Sequence, residues 1–176
     1  VALAMLQKDE TKASRVFGNI YGEVAFMPEL KYRANFGVDI YSSSQDTFRP
    51  STIPISNTEG NPESVPEATA KTAKMYNWLF EQTMSYNKEI HRHSLSALVG
   101  WTMQYQRDES TYAFANGFIT NSVPTLNAGT VTRGNSHASE WALLSGLARI
   151  QYNYKGKYML TGAIRADGAS RFGKQN

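Results

Sequence analysis

The feature that most constrains this chain is an alternation of apolar and polar residues with a period of two. In the clearest segment, Leu30 to Ile40, apolar side chains occupy the even positions and polar or small ones the odd positions. A strand directs successive side chains to opposite faces, whereas a helix would scatter these positions around its circumference. The segment is therefore predicted to be a β-strand with one apolar and one polar face.

The pattern occurs six times and predicts an all-β chain; the other segments span about 15–26, 76–86, 94–106, 140–154 and 158–167. Short turns such as Met27–Glu29 and Lys155–Lys157 join successive segments, so we expect antiparallel pairs. The connections at about 43–74 and 107–139 are long and rich in Ser, Thr, Asn, Gly and Pro. We predict antiparallel up-and-down strands with long loops on one side, of the extracellular type.

Long strands with one continuous apolar face are typical of a transmembrane β-barrel. About nine to eleven tilted residues cross the bilayer, the lipid requires an apolar exterior, and a polar lumen tolerates charge. The residues predicted to face the lumen are Arg33, Asp39, Glu81, Arg149 and Arg165. The aromatic residues predicted to face lipid or its interface are Trp78, Phe80, Trp101, Tyr152, Tyr154 and Tyr158.

A soluble antiparallel sheet with one wet face produces the same alternation, so the pattern alone leaves this alternative open. It would be a β-sheet carbohydrate-binding or adhesion module. A soluble sandwich would bury Trp78, Phe80 and Trp101 between two sheets. A barrel wall would place them on the convex side of one curved, single-layer antiparallel sheet. Because bacterial single-chain barrels have at least eight strands, six strands in a membrane would be a piece of a longer barrel.

Composition excludes several other classes of protein. No run of the 176 residues approaches 18 apolar residues, so no transmembrane helix is predicted. The absence of cysteine removes disulfides, thiolate metal sites and cysteine nucleophiles. The net charge of +3 is mild and its basic residues are dispersed, so no nucleic-acid partner is expected.

No catalytic, cofactor or metal site is predicted, and the chain is not expected to be an enzyme. His91 and His93 could present two imidazoles to a metal, but no third ligand is near in sequence. His137 lies beside serines without an orienting acid or a G-x-S-x-G elbow. No pair among Glu23, Asp39 and Glu81 is brought together as a glycoside hydrolase would need, which makes that enzyme class the weaker alternative.

The second long connection carries three aromatic residues that are candidates for ligand contact. They are Tyr112, Phe114 and Phe118. Packing of these rings within the loop itself is an equally good interpretation, because compact loops often fill their own interior.

The C-terminal part of the chain carries a long motif. The segment from Arg149 through Tyr152, Asn153, Tyr154, Lys155 and Lys157-Tyr158 is followed by Arg165, Asp167-Gly168 and Ser170-Arg171-Phe172-Gly173. It resembles the barrel hairpin R-x-N-Y-x-Y-K-x-K-Y-L-x-x-x-x-x-R-x-D-G-S-S-R-F-G of SusC/RagA family TonB-linked outer-membrane transporters. Ala169 and Ala166 depart from it. Less sharply, 1–6, 16–23, 30–39 and 93–100 are also similar to that family, so the resemblance covers nearly the whole chain.

The resemblance implies a location in the bacterial outer membrane and a segment of a 22-stranded, plugged barrel. Such a protein imports large nutrients, oligosaccharides or peptides. Its partners would be a SusD-like lipoprotein lid, outer-membrane lipid, and a TonB complex that binds an N-terminal region outside this sequence. It implies no cofactor. Asp167 joins the predicted lumen-facing residues as the partner of Arg165, in a structural pair.

Overall fold

A computed structural model describes residues 7–53 and 65–170. It contains the strands β1 (Lys8–Met27), β2 (Leu30–Arg49), β3 (Glu67–Ile90), β4 (His93–Asn116), β5 (Thr130–Tyr154) and β6 (Tyr158–Ala169). A 3₁₀ turn, Leu126–Ala128, precedes β5. Among these residues no helix could span a membrane.

The six strands form one sheet in chain order, β1 to β6. This confirms the predicted all-β, up-and-down antiparallel fold. β5 and β6, for example, run from the pair Tyr154 and Tyr158 at their turn to the pair Leu143 and Ala169. Lys155 and Gly156 both adopt positive φ angles of 57° and 68° in that turn. Such angles suit the right-handed twist of the two strands, and glycine adopts them without strain.

The strands are longer than predicted. β1 to β5 contain 20, 20, 24, 24 and 25 residues. The predicted loop 43–74 is wrong in extent, because 43–49 and 67–74 are strand and the connection covers only 50–66. Residues 54–64 of it lie outside the described residues. The predicted loop 107–139 likewise shrinks to 117–129, because β4 and β5 continue into it.

The chain divides into two compact units. Unit 1 comprises Val1–Arg15, Tyr41–Met75 and Asp108–Ser139, and unit 2 comprises Val16–Ile40, Tyr76–Arg107 and Glu140–Asn176. Each of β1 to β5 therefore contributes residues to both units.

Unit 1 contains a small hydrophobic core at the loop ends of its strands. Phe48, Ala68, Ala115 and Phe118 are buried there, with Leu126 and Ala128 packed against them. The rings of Phe48 and Phe118 meet edge to face with centroids 5.4 Å apart. Aromatic pairs of this geometry contribute more stability than the burial of their area alone. This cluster is therefore the hydrophobic core of unit 1.

Unit 2 has no comparable interior among its described residues. Its one buried polar residue is Ser145, and many of its large apolar side chains are exposed. Trp78 and Trp101 retain 37% and 36% of their surface. Since the described residues form one sheet, no second sheet covers these rings. The sandwich alternative is therefore wrong.

Candidate functional site: the two faces of the sheet

Contacts across the strands of unit 2 separate a polar face from an apolar face. On the polar face, the Asn19 amide donates to Asn35 Oδ1 at 3.1 Å, and the Asn35 amide donates to Glu81 Oε2 at 3.0 Å. These side chains link β1, β2 and β3. Paired residues of an antiparallel sheet point to the same side, so the odd positions of these three strands share this face.

The polar face continues onto β4 through its even positions. The Asn77 amide donates to Gln106 Oε1 at 3.0 Å, and the Ser96 hydroxyl donates to Asn87 Oδ1 at 2.6 Å. A further contact involves Arg33, whose guanidinium lies 4.1 Å from the centroid of the Tyr21 ring. Side-chain amides and hydroxyls therefore satisfy one another along this face.

On β5 and β6 the same face carries the predicted Arg165–Asp167 pair. Arg165 Nε donates to both carboxylate oxygens of Asp167, at 2.9 and 3.0 Å. Asp167 lies opposite buried Ser145, and Arg165 lies opposite Leu147. The pair closes locally on one strand, which fits the structural role predicted for it.

A cavity of about 360 Å³ lies on the polar face of unit 2. It brings together three of the residues predicted to face a lumen, Arg33, Glu81 and Arg165, with Asn35 and Thr102. Arg149 is exposed opposite Ala163 and does not line this cavity, and neither does half-buried Asp39. That these residues face a barrel lumen stays a prediction.

A second polar cavity, of about 400 Å³, lies within unit 1. Tyr112 lines it with Tyr41, Gln45 and Lys71, and the Lys71 ammonium lies 5.9 Å from the Tyr112 ring centroid. Gln45 also donates to Asp9 at 3.1 Å. Two tyrosines, an amide and a cation around one hollow can stack on and hydrogen-bond to a polar ligand.

Of these cavity residues, only Tyr112 was a candidate from the sequence, and its assignment to a loop was wrong because it lies on β4. Tyr41, Gln45 and Lys71 were missed because their stretches carry no apolar alternation. These residues come together only because of the register in which β2, β3 and β4 pair.

The other two loop candidates are packing residues. Phe114 and Phe118 each expose 8% of their surface, and Phe114 lies on β4 rather than in a loop. The Arg133 guanidinium lies 4.4 Å from the Phe114 ring centroid, and Phe118 contacts Phe48. The interpretation of these rings as loop packing therefore fits the structure better than ligand contact.

The opposite face of unit 2 is apolar and aromatic. Phe36 and Phe80 meet edge to face at 6.4 Å, and Trp78 stacks on Tyr105 at 6.2 Å. Phe80 is half-buried, whereas Ile20 and Ile164 expose 73% and 72% of their surface. Near the turns, Tyr154 stacks on Tyr158 at 6.4 Å, and the ring of His93 packs on Tyr154 at 4.7 Å.

His91 and His93, considered above as a metal pair, line one hollow at the turns with Glu89. His93 Nδ1 lies 2.5 Å from the Tyr152 hydroxyl. Within the parts of the chain that the structure describes, no three His, Cys, Asp or Glu residues converge on a metal position.

The chain is similar along its length to curated receptors. It is 34% identical over 178 residues to TonB-dependent receptor P3 of Formosa agariphila, and 30% identical over 184 residues to receptor P39 of the same organism. Both matches include 99% of this chain and 17% of the relative, so the chain spans about a sixth of these proteins. No protein-family model matches it.

Solved structures of the RagAB peptide transporter share the fold. The structure of the open-open state superposes with a TM-score of 0.84 over 98% of this chain and 19% of that chain. A second RagAB structure gives a TM-score of 0.86 over 97% of this chain. Sequence identity is 22% in both, so this likeness concerns the fold.

The receptor relatives and the RagAB fold agree with the family resemblance of the hairpin motif on β5 and β6. Arg171, Phe172 and Gly173 of that motif lie outside the described residues, and so does the similar segment 1–6. The sequence resemblance is therefore confirmed: this chain is a segment of a TonB-dependent receptor, and its fold is that of the RagAB transporter.

Proposed function

We propose that the chain forms part of the barrel wall of an outer-membrane importer. The observation that carries this proposal is the chemistry of the two faces of unit 2. One face exposes large apolar side chains such as Ile20 and Ile164, and the other lines a cavity with Arg33, Glu81 and Arg165. Lipid on one side and water on the other stabilise such a single layer, which would otherwise lack a core.

The spacing of the aromatic residues supports this proposal. His93 packs on tyrosines at the turn end of the apolar face, and Tyr105 stacks on Trp78 at the other end. The two residues are twelve positions apart on β4, which is about 40 Å of strand at about 3.3 Å per residue. A tilt of about 45° reduces this to about 28 Å, close to the apolar thickness of a bilayer.

The cargo follows from the relatives and from the polar faces. RagAB is a peptide importer, and we extend to this chain the import of large polar nutrients, either oligosaccharides or peptides. The wall contributes a water-lined lumen surface and takes no chemical step. The cavity around Tyr112 and Lys71 in unit 1 would be one contact point for such a cargo.

The partners and the orientation belong to the same proposal. Connections 50–66 and 117–129 would be extracellular, since barrels of this type have short turns on the periplasmic side. A SusD-like lipoprotein would cover that extracellular mouth. TonB would supply energy through a part of the receptor other than this segment.

Accessibility of alternate positions on β4 tests the wall assignment. The segment contains no cysteine, so single cysteines can be placed in a full-length receptor whose other cysteines are removed. In cells whose outer membrane has been permeabilised, cysteines at Val99, Trp101 and Met103 should resist a water-soluble maleimide. Labels attached at these three positions with a membrane-permeant maleimide should be reached by a lipid-soluble quencher. Cysteines at Thr102 and Gln104 should react. Equal labelling of both sets would contradict a lipid-facing wall.

The cargo proposal needs a separate measurement. Tyr112→Ala in the full-length receptor should reduce uptake of its cargo severalfold while the amount of receptor in the outer membrane stays unchanged. Ile119→Ala, at a side chain that is 98% exposed, is the matched control and should leave uptake intact. Unchanged uptake in the Tyr112 variant would remove this cavity from the cargo path.

A further inference from the structure

Two neighbouring turns of unit 2 bring basic residues together at one end of the sheet. The Lys155 backbone N–H donates to the Arg92 carbonyl at 2.8 Å. Arg92 belongs to the turn between β3 and β4, and Lys155 to the turn between β5 and β6. Two basic residues from separate hairpins are thus in backbone contact, and both line one hollow of about 600 Å³ at these turns, with Glu89 and Lys157.

The Lys155 ammonium lies on the apolar face. It is 5.0 Å from the centroid of the Tyr154 ring. Tyr154 packs on His93 and on Tyr158, and Tyr158 is 69% exposed. These rings occupy the same face of their strands as the exposed isoleucines. The cation is therefore at the boundary between the apolar face and the turns. The Tyr152 hydroxyl lies 2.5 Å from Nδ1 of His93, whose ring packs on Tyr154.

Lys155 occupies a position that a lysine does not favour. Its φ angle of 57° is in the left-handed region, where glycine or asparagine is the less strained residue. The tight turn imposes this angle, as it does on His91 (φ 56°) in the turn between β3 and β4.

An apolar groove lies farther along the same strands, on the apolar face. It has a volume of about 410 Å³ and is lined by Ala97 and Val99, Ala148 and Ile150, and Gly162 and Ile164, from three adjacent strands. Ala148 is seven residues from Lys155, which is about 23 Å of strand and about 16 Å of depth at a tilt of about 45°. That depth is about half the hydrocarbon thickness of a bilayer, the length of one lipid leaflet.

We propose that this cluster and groove bind an anionic glycerophospholipid, with Arg92, Lys155 and the Tyr152 hydroxyl holding its phosphate and the groove holding an acyl chain. Charge complementarity selects the occupant, because an apolar chain alone would not need cations at its end. The inference rests on the lipid-facing assignment of this face. It does not depend on the cargo, so a failed transport assay would leave it standing.

Native mass spectrometry of the full-length receptor tests this proposal. Phosphatidylglycerol and phosphatidylethanolamine of identical acyl chains are added in equal amounts to the detergent-purified protein, and retained lipid is counted. Phosphatidylglycerol should be enriched. The double variant Arg92→Gln, Lys155→Gln should lower its retention about fivefold for each cation removed, as expected for a basic residue near an anionic surface.

Lys157 lines the same hollow as Arg92 and Lys155, together with Glu89, so it belongs to the cluster. Lys31→Gln is the matched control for charge. Lys31 follows the turn between β1 and β2, lies 3.9 Å from Glu23 and does not line that hollow. Its replacement should leave the preference for phosphatidylglycerol unchanged. Equal retention of both lipids by the unmodified receptor, or an equal loss in the Lys31 variant, would overturn the proposal in favour of a general basic belt.

The groove is tested by filling it. A Cβ added at Gly162 would lie 3.7 Å from Ile150 Cγ2, which is an ordinary van der Waals contact. The backbone therefore accepts Gly162→Leu, and the leucine side chain would occupy the groove that Gly162 lines. It should reduce phosphatidylglycerol retention severalfold. Gly22→Leu, on the same face of β1 with open space around it, should not. Displacement of the lipid by millimolar inorganic phosphate would also contradict the proposal, because the site would then recognise phosphate without the chain.

Discussion

Units 1 and 2 use the same strands in two chemically different ways. Along the even positions of β1, unit 1 carries Lys8, Glu10 and Lys12, and unit 2 carries Val16 and Ile20. Unit 1 buries a small aromatic core, whereas unit 2 exposes its large apolar residues. In the proposed setting, unit 1 meets water on both faces and is stabilised by its own packing. Unit 2 is stabilised by lipid.

The largest effect expected from this comparison is in the core of unit 1. Phe118→Ala removes a ring that is 8% exposed and packed on Phe48. Replacement of a core Phe by Ala typically costs about 3–5 kcal/mol. Hydrogen exchange of residues 117–129 in the full-length receptor should accelerate accordingly. Ile119→Ala alters a side chain that is 98% exposed and should leave exchange unchanged. Equal exchange in both variants would mean that this core does not stabilise unit 1.

The next effect concerns the face of β1 that changes from polar to apolar. Ile20→Arg should destabilise the receptor by about 2–4 kcal/mol in lipid, the range for an arginine near the bilayer midplane. Ser14→Arg is on the same strand, six residues away and in unit 1. It should cost about 0–1 kcal/mol, because charge is tolerated near the interface. Denaturant unfolding of the two variants in the same vesicles measures the difference, and equal costs would deny the contrast between the units.

A smaller effect is expected at a glycine of unit 1. A Cβ at Gly129 would lie 2.7 Å from the Asn116 carbonyl oxygen and 2.7 Å from Phe118 Cε2. Gly129→Ala should therefore push Phe118 out of place and cost about 1–3 kcal/mol, as overpacking does. Gly134→Ala has its nearest neighbour at 3.8 Å and should be close to neutral. The midpoint of thermal unfolding compares the two variants, and a neutral Gly129→Ala would show that the core adapts freely.

The same contrast explains what the sequence could predict. The predicted segment 158–167 and the start of β2 at Leu30 agree with the structure, because apolar and polar residues alternate there. The C-terminal end of β2 and the N-terminal part of β3 were not predicted. Ser42, Ser43 and Ser44 are polar at consecutive positions, so no alternation marks this stretch as a strand.

The candidate sites divide along the same line. Arg33, Glu81 and Arg165 could be selected from their positions within alternating segments, and the structure brings them to one cavity. The cavity around Tyr41, Lys71 and Tyr112 depends on the register of three strands without such a pattern. The pairing of Phe48 with Phe118 joins residues 70 positions apart, a distance that single-residue patterns do not encode.

The smallest effect is electrostatic and belongs to the exposed start of β1 in unit 1. Lys12 and Lys8, at 2.9 and 3.4 Å, hold the pKa of the Glu10 carboxyl below its usual value of 4.5. A lowered pKa in the folded state means that the carboxylate contributes stability above its unfolded pKa and loses it as pH falls through the folded one. Because all three side chains are exposed, solvent screening keeps that contribution small. Carbodiimide labelling of Glu10 against pH, read by peptide mass spectrometry, should give a midpoint that rises in Lys12→Gln. An unchanged midpoint would mean that the ion pair does not persist in water, while the contrast between the cores of the two units would stand.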